Sequence, residues 1–262
     1  MAVQEGFLYE INAYNSLKKP IIHKDISFGD VAGASHDKPD LTIKVGRAKA
    51  GVELKNQPTA AGSLVLQFHN GEWNFGPTDG NVEKEFLATL GTKTGVLKIL
   101  NKNWKTPVLQ YDAKGNKIYV GAEKSNAYRK DLAAFGAFPL NVRYITVPTK
   151  TISDYYNTKD TYYLNVGTHG FFLFGSDPLG LNTKLRKLGL KPIPNFAAAN
   201  SATTKIRIRV QDKSGSYQIS FTLQFGMTTT QKSPYNIAPL MPGSKSSINV
   251  DALIASPIMK VL

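Results

Sequence analysis

From Leu41 onward the sequence alternates. Leu41, Ile43 and Val45 are apolar with Thr42 and Lys44 between them, and after GRAKAG the apolar role passes to Val52 and Leu54, the polar one to Glu53 and Lys55. A period of two is the mark of a pleated strand, whose successive side chains leave on opposite faces. The stretch KPDLTIKVGRAKAGVELKNQP therefore predicts two strands joined by a turn over GRAKAG. It sets Asp40 at the mouth of the first strand and places Glu53 and Lys55 on one face of the second. Two acids and a base at that spacing are either the polar end of a surface hairpin or a metal site. As a solvated pair, Glu-x-Lys contributes little, roughly 0–1 kcal/mol.

The flanking sequence extends the pattern. Phe7, Leu8, Ile11, Tyr14 and Leu17 recur at three and four, which predicts an amphipathic helix closed by Pro20 with Glu10 beside the apolar stripe. ISFGDVAGASHDKPD is a loop by composition, broken by Gly29, Gly33 and Pro39. Leu64, Leu66 and Phe68 predict a further strand, turned at His69-Asn70-Gly71 into one carrying Trp73 and Phe75. The first hundred residues thus predict a helix followed by an antiparallel meander. A helix follows over 81–90, then a mixed region with helices at 128–138 and 152–156 and strands at 142–147, 162–164 and 171–174. Residues 204–226 form the clearest hairpin, with Ile206, Ile208 and Val210 alternating with Lys205, Arg207 and Arg209. The tail from Thr228 is rich in Thr, Ser, Pro and Lys and predicts a loosely held end.

Charge decides which partners suit such a chain. Its 262 residues carry 32 Lys and Arg against 19 Asp and Glu, a net charge of +13 that favours a polyanion through counterion release. There is no Cys, which excludes thiolate metal sites, disulfides and cysteine nucleophiles. No segment approaches the roughly 20 apolar residues of a membrane span. MAVQEGFLYE lacks the order of a signal peptide, so a soluble cytoplasmic protein without membrane contact is expected.

If the Asp40 strand pairs with the Glu53 strand, both carboxylates can hold one hard cation. Mg²⁺ suits them, since it takes one or two carboxylates and completes its shell with water and phosphate. Lys55, on the same face, can orient the attacking water or stabilise the transition state. Pro39-Asp40 followed by Glu53-Leu54-Lys55, with Glu10 on an N-terminal helix, resembles the PD-(D/E)XK nuclease superfamily of restriction enzymes, junction resolvases and phage nucleases. The resemblance covers about the first 75 residues. It implies metal ligation by Asp40, Glu53 and Glu10, with Glu5 as the rival to Glu10, and catalysis by these acids with Lys55. Many members run soon into a core helix after this motif, whereas here NQPTAAGS leads to another strand.

The resulting expectation is an α/β protein with a restriction-endonuclease-like mixed β-sheet core flanked by helices and an additional C-terminal β-hairpin. Residues 1–95 form the nuclease core, and 96–262 complete it and bind DNA, packed as one compact body. The function expected is Mg²⁺-dependent (or Mn²⁺-dependent) hydrolysis of duplex DNA by a type II restriction-like endonuclease, with a homodimer as the form that would cut both strands. The alternative is a non-catalytic, basic nucleic-acid-binding protein of phage or mobile-element type. Lys205, Arg207 and Arg209 repel one another on one strand face, a cost more readily borne beneath a phosphate backbone. Lys184, Arg186 and Lys187, with Arg129 and Lys130, are further candidates for DNA contact. His23, His36, His69 and His169 show no ligand spacing and read as surface or turn residues. THGFFLFG, 168–175, reads as a buried strand rather than a base-stacking platform.

Overall fold

A computed structural model describes residues 5–18, 20, 26–28, 38–199, 201–227 and 231–262. His23, His36, Gly29 and Gly33 lie outside the described residues. The chain splits into two compact units, one of Met1–Thr59, Pro148–Ala202 and Phe225–Leu262, the other of Ala60–Val147 and Thr203–Gln224. This interleaved division runs along different lines from the boundary expected at residue 95. The first unit begins with α1 (Glu5–Lys18), β1 (Ile26–Phe28), β2 (Leu41–Val45) and β3 (Ala48–Lys55).

The chain then builds the second unit through β4 (Ala60–His69), β5 (Glu72–Phe75), α2 (Val82–Thr94), α3 (Val96–Asn103), β6 (Leu109–Tyr111), β7 (Lys117–Tyr119), α4 (Lys124–Gly136), α5 (Leu140–Arg143) and β8 (Tyr144–Val147). It returns to the first unit for α6 (Lys150–Asn157), β9 (Thr161–Val166), β10 (Gly170–Leu173), α7 (Leu181–Lys187) and α8 (Phe196–Ala199). Most of β11 (Ser201–Val210) and β12 (Tyr217–Gly226) belongs again to the second unit, and α9 (Val250–Ala255) with a 3₁₀ turn at Pro257–Lys260 closes the first. The protein is thus of mixed α/β class. Among the described residues no helix is long and apolar enough to cross a membrane.

In the first unit a five-stranded sheet runs β1-β2-β3-β9-β10. The predicted loop over 26–40 therefore starts with a strand, Ile26–Phe28, paired antiparallel with β2. The turn is also shorter than GRAKAG. Only Gly46 and Arg47 make it, with Gly46 at φ 61°, and Ala48 to Gly51 already pair with β2. Beyond Gly51, β3 runs parallel to β9, with Val52 opposite Tyr163 and Lys55 opposite Val166. A strand paired on both sides and covered on both faces does not keep one polar face in water.

One face of this sheet buries Ala50, Val52 and Leu54 with Tyr9, Ala13 and Leu17 of α1. The stripe on α1 is therefore Tyr9-Ala13-Leu17, spaced by four, while Leu8 of the predicted stripe is exposed. Tyr9 fixes that rotation, since its hydroxyl donates to Ala238 O and accepts from Asn165 Nδ2 at 2.9 Å. The other face holds an aromatic layer in which the Tyr156 ring stacks on Phe174, centroids 4.6 Å apart. Phe171, Phe172 and Phe174 are fully buried, as a core strand requires.

The C-terminal segment is not loosely held. Tyr235, Ile237, Ile248, Leu253, Ile258 and Leu262 belong to the same core as α1. At roughly 1.5–3 kcal/mol for each large apolar side chain removed from water, such anchors outweigh the polar composition between them.

The second unit carries its own five-stranded sheet, ordered β5-β4-β12-β11-β8, and the β6-β7 hairpin. The predicted meander is therefore divided between two sheets. Asn70 at φ 50° and Gly71 at φ 82° make the tight turn between β4 and β5 that Asn-Gly favours. Asn81 caps α2 by accepting from Lys84 N at 3.0 Å, and Gly95 ends it at φ 69°. Asp131 of α4 is buried and accepts from Val108 N, Leu109 N and the Tyr217 hydroxyl, which ties helix, hairpin and β12 together.

Candidate active site

The β2–β3 register brings the candidate residues together. Leu41 pairs with Val52, so one step further Asp40 stands across from Glu53 on the same face, and Lys55 follows Glu53 by the two residues that keep it there. Asp40 is fixed by its own hairpin, its Oδ2 accepting from Leu54 N at 2.8 Å. Lys55 Nζ hydrogen-bonds Glu53 Oε1 and lies 3.8 Å from Asp40 Oδ2. The ammonium thus sits where both carboxylates meet.

Gly51 makes this meeting possible. A Cβ there would lie 2.6 Å from Pro39 Cβ and 2.8 Å from Asp160 O. Without a side chain, Gly51 lets both Pro39 and Asp160 come close, its N–H donating to Asp160 O at 3.1 Å. Asp40 follows the first neighbour directly and Lys159 precedes the second.

Lys159 and Tyr156 complete the cluster, and sequence reasoning missed both. Lys159 Nζ lies 3.7 Å from Glu53 Oε2, with both side chains only 5% exposed. The Tyr156 hydroxyl donates to Glu53 Oε1 at 3.3 Å. Nothing local marks these residues, because Tyr156 is 103 positions from Glu53. Only the parallel pairing of β9 with β3 brings them together.

Burial and charge act on each group differently. Burial works to raise the Glu53 pKa, but Lys159 and Lys55 outweigh it and hold the group below the usual range. Asp40 goes the other way, pushed up to about 6 by burial and by the charge of Glu53. Glu10 is raised to about 8 by burial, then by Asp40 and Glu53. Burial would lower the pKa of Lys55, yet Glu53 and Asp40 raise it, so Lys55 stays an ammonium.

Asp40 and Lys55 keep 19% and 18% of their side-chain exposure against 5% for Glu53. The site therefore has a mouth of Asp40 and Lys55 above a sealed floor of Glu53 and Lys159. Glu53 Oε2 is buried and accepts no hydrogen bond. Two facing carboxylates, one kept from ionising by burial and by the charge of the other, are donors that would suit a hard divalent cation, whose charge relieves that repulsion. Among the described residues no three His, Asp or Glu side chains stand together as a ligand group. Asp40 and Glu53, joined through Lys55, are the donor pair, and Glu10 adds its field. Glu5 lies in the first turn of α1.

The other candidates lie apart. His69 Nδ1 bonds Tyr111 O at 2.7 Å, and His169, buried in the turn between β9 and β10, bonds Thr168 Oγ1 at 2.7 Å. Lys205 and Arg207 are half-buried on β11 and Arg209 is exposed, all three in the second unit. Burial and the neighbouring cation lower the pKa of Lys205 and of Arg207. Lys205 Nζ also lies 5.7 Å over the Tyr144 ring. On α7, in the first unit, Lys184 donates to Val261 O at 3.2 Å, whereas Arg186 and Lys187 are exposed. Lys130 donates to Gly121 O, and Arg129 beside it is exposed. Compared with protein-family models, curated proteins and solved structures, the chain matches none.

Proposed function

We propose that this chain is a Mg²⁺-dependent deoxyribonuclease of the PD-(D/E)XK kind, a restriction-like endonuclease that hydrolyses phosphodiester bonds of duplex DNA. The carrying observation is the convergence of Asp40 and Glu53 on Lys55, with Asp40 and Lys55 partly exposed above a buried Glu53. The mixed sheet, with α1 packed on β3 and α6 on β9, supports the reading by giving these residues a rigid frame.

Asp40 and Glu53 would hold the ion, Mg²⁺ or Mn²⁺. Bound there, it supplies an acidified water and neutralises charge on the phosphoryl oxygens. The chain's own groups divide the remaining work. Lys55, held as an ammonium, donates to a phosphoryl oxygen and does not serve as a base. Glu53 orients Lys55 through their hydrogen bond, and Leu54 N orients Asp40. Asp40 and Glu10, raised to about 6 and about 8, change charge on either side of neutral pH and so alter the net charge near the site. Lys205, Arg207 and Arg209, with Arg186 and Lys187, are the cations offered to the DNA backbone.

The test is direct. Incubated with plasmid DNA and Mg²⁺, the wild type should nick or linearise it, while Glu53→Ala and Lys55→Ala bind without cutting. Wild type that binds DNA but leaves plasmid and phage genomes intact in both Mg²⁺ and Mn²⁺ would sink this reading, and the basic binding protein would stand in its place.

A further inference from the structure

Lys159 is a lysine in an expensive place. A buried ammonium persists only where partners compensate its desolvation. Here they are Glu53 Oε2 at 3.7 Å and the rings of Tyr156 and Tyr155, whose centroids lie 4.7 and 5.1 Å from Nζ. Tyr156 is itself held by stacking, with Phe174 at 4.6 Å and Phe225 at 6.1 Å, both rings within 8° of parallel. Its hydroxyl reaches Glu53 Oε1, the oxygen that also takes Lys55. Both carboxylate oxygens of Glu53 are therefore addressed from the end of α6 and the residues just after it.

We propose that Lys159 and Tyr156 are positioning residues that clamp the Glu53 carboxylate in the orientation it shares with Lys55. The clamp touches no substrate, since Lys159 is sealed beneath Glu53. Lys159 holds Oε2 by charge and Tyr156 holds Oε1 by a hydrogen bond, so rotation of the carboxylate about its last bond breaks both. Their fixed geometry is inherited from the aromatic stack rather than from the β2–β3 hairpin. In its catalytic half the inference rests on the nuclease reading above; in its structural half it does not.

The test separates the two. Lys159→Met keeps the chain length over the rings and removes the charge, Tyr156→Phe keeps the stack and removes the hydroxyl, and Lys150→Met alters an exposed lysine of the same helix as a control. In protein labelled with ¹³C at the glutamate carboxyls, Glu53→Gln identifies the Glu53 resonance. Lys159→Met and Tyr156→Phe should each shift or broaden that resonance while Lys150→Met leaves it in place. On DNA, Lys159→Met should lower kcat by about tenfold or more with KM nearly unchanged, and Lys159→Arg should recover part of the loss. An unmoved Glu53 resonance in folded Lys159→Met overturns the clamp whether or not the protein cuts DNA. A loss confined to KM also overturns it, because it would place Lys159 on the substrate. A wild type that cuts nothing while the resonance moves as stated leaves the clamp standing and refutes only the nuclease reading.

Discussion

Each unit buries a carboxylate, and the two are satisfied in opposite ways. Asp131 in the second unit meets two backbone N–H groups and the Tyr217 hydroxyl, all neutral donors fixed by the fold. Glu53 in the first meets two lysines and one distant hydroxyl and keeps Oε2 without a hydrogen bond. Neutral donors complete a carboxylate and make it a staple. Cations at ion-pair distance and an oxygen without a hydrogen bond leave the carboxylate ionised but not completed. The contrast separates an acid completed by hydrogen bonds from one held mainly by charge, without reference to any motif.

The contrast breaks most visibly in paired substitutions. Glu53→Gln should reduce DNA cutting on the order of 10³-fold. Asp131→Asn should leave cutting nearly intact well below its melting midpoint while costing about 3 kcal/mol in denaturant titrations, because an amide turns one donor toward another donor. If Asp131→Asn is as inactive as Glu53→Gln while folded, the distinction fails. A smaller effect is expected from Gly51→Ala, where contacts of 2.6–2.8 Å force Pro39 and Asp160 apart at about 1–3 kcal/mol. Activity should fall with it, since the glycine seats the residues next to Asp40 and Lys159.

The first unit's acids also respond to pH. Asp40 and Glu10 have folded pKa values of about 6 and about 8, above their ordinary ones, so the folded state holds the extra protons. Stability of the metal-free protein is then full below about pH 4 as far as these groups are concerned, and is lost as pH rises through 6 and 8. Glu53, held low, acts oppositely and gives up its contribution only in acid. Affinity for Mg²⁺ should rise over the same window in which stability falls, because ionised carboxylates are the better ligands. Asp40→Asn should flatten the lower part of the stability slope and Glu10→Gln the upper, measured by denaturant midpoints across pH. The smallest effect belongs to Arg207→Gln, which should weaken DNA binding uniformly across sequences and reduce the salt slope by about one.

The hairpin and its polar face were legible because alternation is local. Its environment was not. Glu53 and Lys55 between apolar neighbours look solvated, and their burial comes from β9 and α6, far along the chain. The turn shortened from GRAKAG to Gly46-Arg47 because Ala48, Lys49 and Ala50 carry no strong strand preference and pair only once β2 is in place. The α1 stripe shifted to Tyr9 because a tyrosine hydroxyl with two buried partners outranks the more apolar Leu8. At the C-terminus, anchors spaced among Ser, Pro and Lys do not form a period, so their burial left no pattern to read.

The insertion of residues 60–147 between β3 and the α6–β9 segment has a consequence in time. Asp40, Glu53 and Lys55 can meet as soon as a short hairpin closes, within microseconds for such a structure. Lys159 and Tyr156 arrive only when a loop of about a hundred residues has closed, which adds search time more than it subtracts stability. A chain still folding thus carries the acid pair and its lysine without the counter-charge beneath them until β9 has paired with β3.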